Sequence, residues 1–311
     1  MDRAMAGNRM KDFAETERQP AILLEFSKSD FPKAKRGSML VGAGDSYSAA
    51  VAGFYASGGA CIAVDPYHLA SSPDIARGAD VFLISVSGRT ASNLEAARKV
   101  RHLARRTVAI TSDGRSRLAG LVDEVVRLPI KCLPRTPGLL SYSLSLLAVL
   151  SIVGRREKCD FEGAFRAARK DSGNIRWGGG TTYFLGNSLA YPVAMYAAAK
   201  TYEFLGAKAH PQLLEEFSHL ELFSLGPSDL VNIFSAFDPS GASGRLAKAL
   251  ADQGYESHLV PDAGRSETER LFHAVFASQL SVLRRASELR LSEPSFLTAA
   301  GRLAVSDSMI Y

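Results

Sequence analysis

The chain has 311 residues, 46% of them hydrophobic, which is enough for two ordinary domains that each bury a core. Its net charge of +5 comes from 37 basic and 32 acidic residues, which are interspersed along the chain. The densest basic stretch, 99–106, has no aromatic side chains that could stack on bases. A small anionic ligand is therefore favoured over nucleic acid. The three cysteines are isolated, which argues against a disulfide framework, and the charged N-terminal stretch argues against a secretion signal. No apolar run reaches roughly 20 residues, so no membrane span is predicted. Together these features predict a cytoplasmic protein.

The first elements along the chain predict a helical arm followed by an α/β domain. Apolar residues recur at helical spacing within 1–36, and Gln19-Pro20 indicates a break between two helical pieces. From residue 37 onward, short apolar runs alternate with amphipathic stretches, which is typical of βαβ units and a parallel sheet. Strands are predicted at 38–41, 60–64, 81–85, 107–111 and 124–128, and helices at 46–57, 90–103 and 134–153.

A faint internal repeat predicts a second domain of the same kind. Residues 40–47 (LVGAGDSY) are echoed by 184–191 (FLGNSLAY), each with an apolar strand end, a glycine turn and a small hydroxyl residue opening a helix. The chain is therefore predicted to be an α/β protein with two doubly wound parallel-sheet domains of the flavodoxin-like three-layer αβα type. The expected order is an N-terminal helical arm at 1–36, a first domain at 37–153, a helical connector at 154–172, a second domain at 173–290 and a C-terminal tail at 291–311.

The segment 85–90 (SVSGRT) is the best candidate for a binding site. It follows a predicted strand and precedes a predicted helix, where free backbone N–H groups and the helix dipole favour an anion. Its hydroxyls suit a phosphate group, and Ser46 should reach the same crevice at the carboxyl edge of the sheet. The predicted phosphate ligands are Ser46, Ser85, Ser87, Gly88 and Thr90. The alternative is that Ser87 or Thr90 only caps the helix.

Nucleotide-binding motifs do not fit the same region. Gly42-Ala43-Gly44 begins like GxGxxG, but Tyr47 occupies the position of the third glycine, and no GxxxxGK[ST] motif occurs. The combination of residues 42–46 (GAGDS) with Ser85-x-Ser87-Gly88-x-Thr90 instead resembles the SIS (sugar isomerase) domain.

The doubled arrangement is similar to the isomerase half of glucosamine-6-phosphate synthase and to the archaeal phosphoglucose/phosphomannose isomerases. The resemblance covers nearly the whole chain, including residues 17–20 (ERQP), which are similar to a Glu-Gln-Pro ahead of the synthase domain. It implies that the protein binds a phosphorylated sugar, and neither a metal nor an organic cofactor is expected. The further substrate contacts that it implies are Gly44, Asp45, Arg135 and Ser141.

Two pairs of titratable residues stand three apart on predicted helices. Lys200 and Glu203 would share one face of a helix over 189–205, and Glu216 and His219 would lie on a helix that opens at Pro211. The resemblance implies that Glu203 is the enediol base, that His219 opens the sugar ring and that Lys200 is the lysine ahead of the base. The alternative is a surface ion pair and an unremarkable half-buried histidine.

In the resembling families this histidine comes from the neighbouring subunit, so the resemblance also implies a homodimer with shared sites. The chain departs from those enzymes where Val305 stands in place of a C-terminal lysine and where Val86 replaces a glutamine. No glutaminase domain is recognised, so glutamine-dependent synthesis is not expected. Aldose–ketose isomerisation, isomerising deamination and non-catalytic sugar-phosphate sensing remain open, with a vestigial scaffold as a further alternative.

The second half has a different loop at the corresponding strand end. Residues 235–239 (SAFDP) lack the hydroxyl pattern and contain an acid, Asp238, that would repel a phosphate. One phosphate pocket per chain is therefore predicted. The sequence does not specify the sugar or its epimer.

Overall fold

A computed structural model describes residues 15–131, 136–155 and 157–311. Within this range the chain divides into two compact units. The first unit comprises the described residues between 22 and 155 together with 300–311, and the second comprises 15–21 and 157–299. Each unit contains one parallel sheet with helices on both faces, so the predicted fold class is confirmed.

The described chain begins in a helix over residues 15–26, here α1. The predicted break at Gln19-Pro20 is wrong, because the helix continues through Pro20. Proline removes one backbone donor from a helix. The neighbouring side chains of Thr16, Gln19 and Leu23 are fully buried, and this packing stabilises the helix despite the missing donor.

The first unit is built on five parallel strands in the order β2-β1-β3-β4-β5. The strands are β1 (Met39–Val41), β2 (Ile62–Val64), β3 (Asp80–Ile84), β4 (Arg106–Thr111) and β5 (Glu124–Arg127). The helices are α2 (Asp45–Ala56), α3 (Pro66–Ser71), α4 (Ala91–Val100), α5 (Leu140–Ile152) and α12 (Ala300–Ile310). The chain order reverses direction between β1 and β3, and ligands of doubly wound folds bind at such a switch point.

The two faces of this sheet bury alternate residues of the strands. Met39 and Val41 of β1 belong to a core cluster with residues of α3 and α4 on one face. Leu40 faces α2 and α5, where Gly53 packs so tightly that an added Cβ would collide with Leu40 and Val149. β3 is buried along its whole length, as expected for a central strand covered on both sides.

The second unit is built on four parallel strands in the order β7-β6-β8-β9. The strands are β6 (Thr182–Leu185), β7 (Ala209–Gln212), β8 (Leu230–Phe234) and β9 (Ser257–Val260). The helices are α6 (Phe161–Asp171), α7 (Ala190–Lys200), α8 (Leu214–His219), α9 (Ala242–Asp252), α10 (Glu267–Glu288) and α11 (Ser295–Thr298).

The core of the second unit lies on both sides of its sheet. On one face, Tyr183, Leu185 and Ile233 pack with residues of α8 and α9. In the helical layer of α6 and α10, Phe165 and Phe276 meet edge to face at 5.2 Å.

The helix expected to open at Pro211 begins instead at Leu214, because Pro211 belongs to the edge strand β7, where it pairs with Phe184 of β6. An edge strand tolerates the missing N–H of proline. No helix among the described residues is long and apolar enough to cross a membrane.

Candidate functional site

The β1–α2 turn of the first unit has a backbone that only small residues allow. An added Cβ at Gly42 would lie 2.6 Å from the backbone oxygen of Ser46, and Gly44 has a φ of 57° and a ψ of −127°. That combination is far more accessible to glycine than to other residues. The turn therefore brings the start of α2, with half-buried Asp45 and Ser46, to the carboxyl edge of the sheet.

The β3–α4 turn carries the three predicted hydroxyls. Ser85 is buried, and its Oγ lies 3.2 Å from Thr90 Oγ1, while the Ser87 Oγ accepts a hydrogen bond from the Arg89 amide at 3.3 Å. Gly88, with a φ of 60°, packs against Ser116, so that an added Cβ would collide with the serine side chain. The turn thus approaches the neighbouring loop closely.

Thr90 is the N-cap residue of α4, but neither its side chain nor any other described side chain caps this helix. The helix-capping alternative therefore does not explain the hydroxyl of Thr90, which faces Ser85 instead. Because β1 and β3 are adjacent and parallel, with Val41 opposite Leu83, the two turns lie side by side at one sheet edge. The first turn of α4 and the hydroxyls around it suit an anion.

The start of α5 supplies the other predicted contacts of the first unit. An added Cβ at Gly138 would collide with Asp45 Oδ2 and would lie 3.4 Å from Ser141 Oγ, so the structure brings these residues together. The Tyr142 hydroxyl lies 3.0 Å from Ser48 Oγ and connects α5 with α2. Burial raises the pKa of Tyr142, so its hydroxyl stays protonated. Arg135 lies outside the described residues.

In the second unit, Lys200 and Glu203 form an ion pair that is only partly open to water. The Lys200 side chain is fully buried, whereas that of Glu203 is 33% exposed. The ammonium also lies 5.2 Å from the centre of the Tyr196 ring. The surface-ion-pair alternative is therefore wrong, because a surface lysine would keep its charged end in water.

Glu203 lies in a π-helical turn, Thr201–Leu205, that continues α7. The helix expected over 189–205 is thus regular only as far as Lys200. The Thr201 hydroxyl donates to the Ala197 carbonyl at 2.9 Å and accepts a hydrogen bond from Trp177 Nε1 at 3.2 Å. The turn ends at Gly206, whose φ is 63°. Isolated π turns of this kind are frequent at functional sites.

His219 lies at the end of α8 with 70% of its side chain exposed, and its Nε2 is 3.2 Å from Glu215 Oε1. Within the described chain its polar partner is this glutamate and not Glu203, so the structure does not bring the two predicted catalytic residues into contact. The side chains of Leu220 and Phe223 beside it are 57% and 85% exposed. His219 therefore belongs to an exposed, partly apolar segment.

Glu221 belongs to a polar cluster that the sequence did not indicate. Its Oε1 accepts a hydrogen bond from Gln212 Nε2 at 2.9 Å and lies 2.9 Å from His210 Nε2. Burial by itself would raise the pKa of Glu221, but hydrogen bonds from Gln212, the backbone and His210 together hold that pKa below its ordinary value. An ionised carboxylate therefore lies two residues after His219. The described residues contain no cluster of three or more metal-ligating acidic, histidine or cysteine side chains.

The second unit repeats the β1–α2 turn of the first unit, but its helix α7 begins at Ala190, so Ser188 lies in the turn and does not open the helix as predicted. An added Cβ at Gly186 would lie 2.6 Å from the Ala190 backbone oxygen, as one at Gly42 would from Ser46. Ser188 has a φ of 51°, close to the 57° of Gly44. The backbone of the repeat is thus preserved, but alanine replaces the serine that would meet a phosphate.

In the β8–α9 turn of the second unit, the Asp238 carboxylate accepts the hydrogen bonds of the helix end. Its Oδ2 accepts a hydrogen bond from the Ser243 amide in the first turn of α9, and its Oδ1 accepts one from Ser240 Oγ, both at 2.6 Å. Burial raises the pKa of this carboxyl, but the hydrogen bonds from Ser240, Ser243 and Ala242 outweigh burial and lower the pKa to about 2. A built-in anion therefore occupies this helix end.

We expect Asp238→Asn to destabilise the protein by about 1 kcal/mol at neutral pH, because the first turn of α9 loses a charged acceptor. The contribution should be complete above the ordinary pKa of 3.8 and should disappear as the pH falls towards about 2, because the folded state then binds the proton less readily than the unfolded state. Urea unfolding at several pH values measures the difference between variant and wild type. Asp252→Asn, at the exposed end of the same helix, is the control, and equal stabilities of the Asp238 variant and wild type would contradict the assignment.

Comparisons with known proteins place the fold. No family model and no curated protein sequence matches the chain. Among solved structures, glucosamine-6-phosphate deaminase from Thermotoga maritima is similar with a TM-score of 0.73 and 22% identity, over 89% of this chain and 94% of that chain. Tagatose-6-phosphate ketose/aldose isomerase from Escherichia coli is similar with a TM-score of 0.63 and 16% identity, over 93% and 91%.

The C-terminal domain of glucosamine-fructose-6-phosphate aminotransferase from Francisella tularensis is also similar, with a TM-score of 0.66 and 16% identity, over 88% of this chain and 94% of that chain. The likeness spans both units in each case. At these identities it shows that the chain has the fold these three proteins share.

Proposed function

We propose that this protein is a SIS-type enzyme that binds a hexose or amino-hexose 6-phosphate and catalyses aldose–ketose isomerisation or isomerising deamination through an enediol. The observation that carries the proposal is the turn 85–90, whose hydroxyls lie at the switch point of a fold shared with the deaminase and isomerase structures. Fold alone does not define function, so the chemistry of this site supports the assignment.

The phosphate is assigned to the first unit. Ser46, Ser85, Ser87 and Thr90 offer hydroxyls on two adjacent turns, and the first turn of α4 offers backbone N–H groups that no described side chain caps. Gly88 supplies the positive φ of this turn and leaves room for Ser116, against which the turn packs. Asp45, Gly44 and Ser141, with Arg135, are proposed to contact the sugar itself. An acidic residue beside a phosphate is unfavourable, so Asp45 is better suited to hydroxyl or amino groups of the sugar.

Proton transfer is assigned to the second unit. A carboxylate that accepts a proton from carbon must be ionised and accessible, and Glu203 is paired with a buried ammonium while one third of its side chain remains open. His219, with its exposed imidazole, is proposed to open the sugar ring. Lys200 is proposed to hold the base rather than to react.

We further propose that two copies of the chain share their sites. The exposed His219 and its apolar neighbours Leu220 and Phe223 form a surface that a second copy could cover. Glu203→Gln and His219→Asn variants should each be inactive, and mixing them should restore part of the activity, because one site of each mixed dimer is then intact. Native mass spectrometry of the mixture checks that dimers with one chain of each variant have formed. If such dimers are as inactive as the separate variants, the sites are not shared.

The proposed function is tested by isotope exchange. The protein is incubated in D2O with fructose 6-phosphate, glucosamine 6-phosphate and related esters, and deuterium entering C1 or C2 is followed by NMR. Exchange with one of these esters is expected, since enediol formation exchanges the carbon-bound proton. Tight binding without exchange would instead support a sensor, and thermal stabilisation by none of the esters would contradict sugar-phosphate binding altogether.

A further inference from the structure

Four polar side chains with no exposure to solvent follow one another through the second unit. The Gln19 Nε2 donates to Gln279 Oε1 at 2.7 Å, and Gln279 Nε2 donates to the Tyr196 hydroxyl at 3.0 Å. The Tyr196 ring faces the Lys200 ammonium, which lies 5.2 Å from its centre. Gln19, Gln279, Tyr196 and Lys200 each have 0% relative exposure. The series ends at Glu203, the proposed base, which contacts the ammonium directly.

The hydrogen bonds fix the orientation of the tyrosine. A glutamine amide has one end that accepts and one that donates. Because Gln19 donates to the oxygen of Gln279, the NH2 group of Gln279 is directed to the Tyr196 hydroxyl. Buried polar groups that are satisfied in this way restrict a side chain to one arrangement. The ring of Tyr196 is therefore held from its far end.

The ring in turn stabilises the buried ammonium. A charge without exposure to water requires compensation from nearby groups. Lys200 has the carboxylate of Glu203 on one side and the electron-rich face of Tyr196 on another. Cation–π attraction is stronger in a desolvated site than at a surface. A displaced ring would therefore change the position of the ammonium.

The position of the ammonium bears on Glu203, because the two groups form an ion pair. Glu203 lies in the π turn 201–205, and one third of its side-chain surface is exposed to solvent. The ion pair with the Lys200 ammonium is one contact that orients this long side chain. A shift of about 1 Å in a reacting group can cost up to about a hundredfold in rate.

We propose that Gln19, Gln279 and Tyr196 are positioning residues that fix the Lys200 ammonium and, through it, the Glu203 carboxylate. The inference rests on the proposed function, since it assigns these residues to the orientation of the base. None of the three is proposed to touch the substrate. Their contribution should therefore appear in turnover and not in substrate affinity.

The variants Gln279→Met and Tyr196→Phe test the proposal. Methionine keeps the length of glutamine without its hydrogen bonds, and phenylalanine keeps the ring without its hydroxyl. Both should lower kcat by about tenfold or more and leave KM nearly unchanged, because the phosphate-binding turn belongs to the first unit. Ser278→Ala, at a buried neighbouring position of α10, is the matched control and should leave kcat unchanged.

A second measurement does not depend on turnover. In protein labelled with 15N-lysine, the buried Lys200 ammonium should give a slowly exchanging signal, assigned by its loss in Lys200→Met. Gln279→Met should accelerate its hydrogen exchange, and Gln19→Met should add nothing further when the two are combined, since both act on one chain of hydrogen bonds. Ser278→Ala should leave the signal as in the wild type.

The two measurements separate failure of this inference from failure of the proposed function. If wild-type protein exchanges no isotope with any sugar phosphate but its Lys200 signal responds to Gln279→Met, the proposed function is wrong and the structural link is retained. If the variants alter neither the Lys200 signal nor kcat relative to Ser278→Ala, the positioning proposal is wrong.

Discussion

Replacing Glu203 by glutamine is expected to reduce isotope exchange into the sugar by about 10²–10⁴-fold while leaving sugar-phosphate binding intact. The amide keeps the shape of the side chain and still accepts a hydrogen bond from Lys200, but it does not accept a proton from carbon at neutral pH. Binding should persist because the phosphate turn lies in the other unit. Exchange in D2O and calorimetric titration with the same ester measure the two properties in one preparation.

Two further variants show whether charge or position is responsible. Glu203→Asp keeps the carboxylate and shortens its reach, so exchange should fall although the ion pair with Lys200 can still form. Glu288→Gln removes the carboxylate of another i,i+3 pair in the same unit, with Arg285, and should exchange as the wild type does. Because neutralising one partner of a buried pair can cost a few kcal/mol, all rates are compared well below each variant's Tm. Wild-type exchange by Glu203→Gln would exclude this residue as the base.

Replacing Gly42 by alanine is expected to destabilise the protein by about 1–3 kcal/mol and to weaken sugar-phosphate binding at least tenfold. The added Cβ would lie 2.6 Å from the backbone oxygen and carbon of Ser46, and backbone atoms have less freedom to move aside than the end of a side chain. The start of α2 would therefore shift, and Ser46 with it. Urea unfolding and calorimetric titration measure the two effects.

The repeat in the second unit provides a matched comparison. Gly186→Ala creates the same backbone collision with Ala190, so it should also destabilise, but it should not affect phosphate binding because alanine stands here where the first unit has Ser46. Gly120→Ala has open space around the new Cβ and should alter neither property. Equal loss of affinity in the Gly42 and Gly186 variants would contradict the assignment of the phosphate to the first unit.

Much of the fold follows from local patterns in the sequence. The buried strand β3 and the helix α4 after it lie within a few residues of their predicted bounds, because apolar runs and glycine turns are local signals. The helix predicted to open at Pro211 failed for a non-local reason. Whether a proline begins a helix or ends an edge strand depends on which strand lies beside it, and here that strand is β6.

In the candidate site, too, the features that a local sequence pattern indicates could be predicted and the others could not. The hydroxyls of 85–90 could be identified because a strand–turn–helix places them together within six residues. The π turn at Glu203 could not, since its one-residue expansion leaves no pattern in the sequence. Nor could the pairing of Gln19 with Gln279, which are separated by 260 positions. The boundaries proposed for the arm, connector and tail stay predictions.

The carboxylate of Asp238 also limits how ligand binding can be regulated. Because the Asp238 carboxylate already accepts from that helix end, the proposed function gives each chain one phosphate pocket, and it predicts no linkage between two sugar-phosphate sites of one chain. Cooperativity requires at least two sites that influence each other. A sigmoidal saturation curve for this protein would therefore report communication between separate chains.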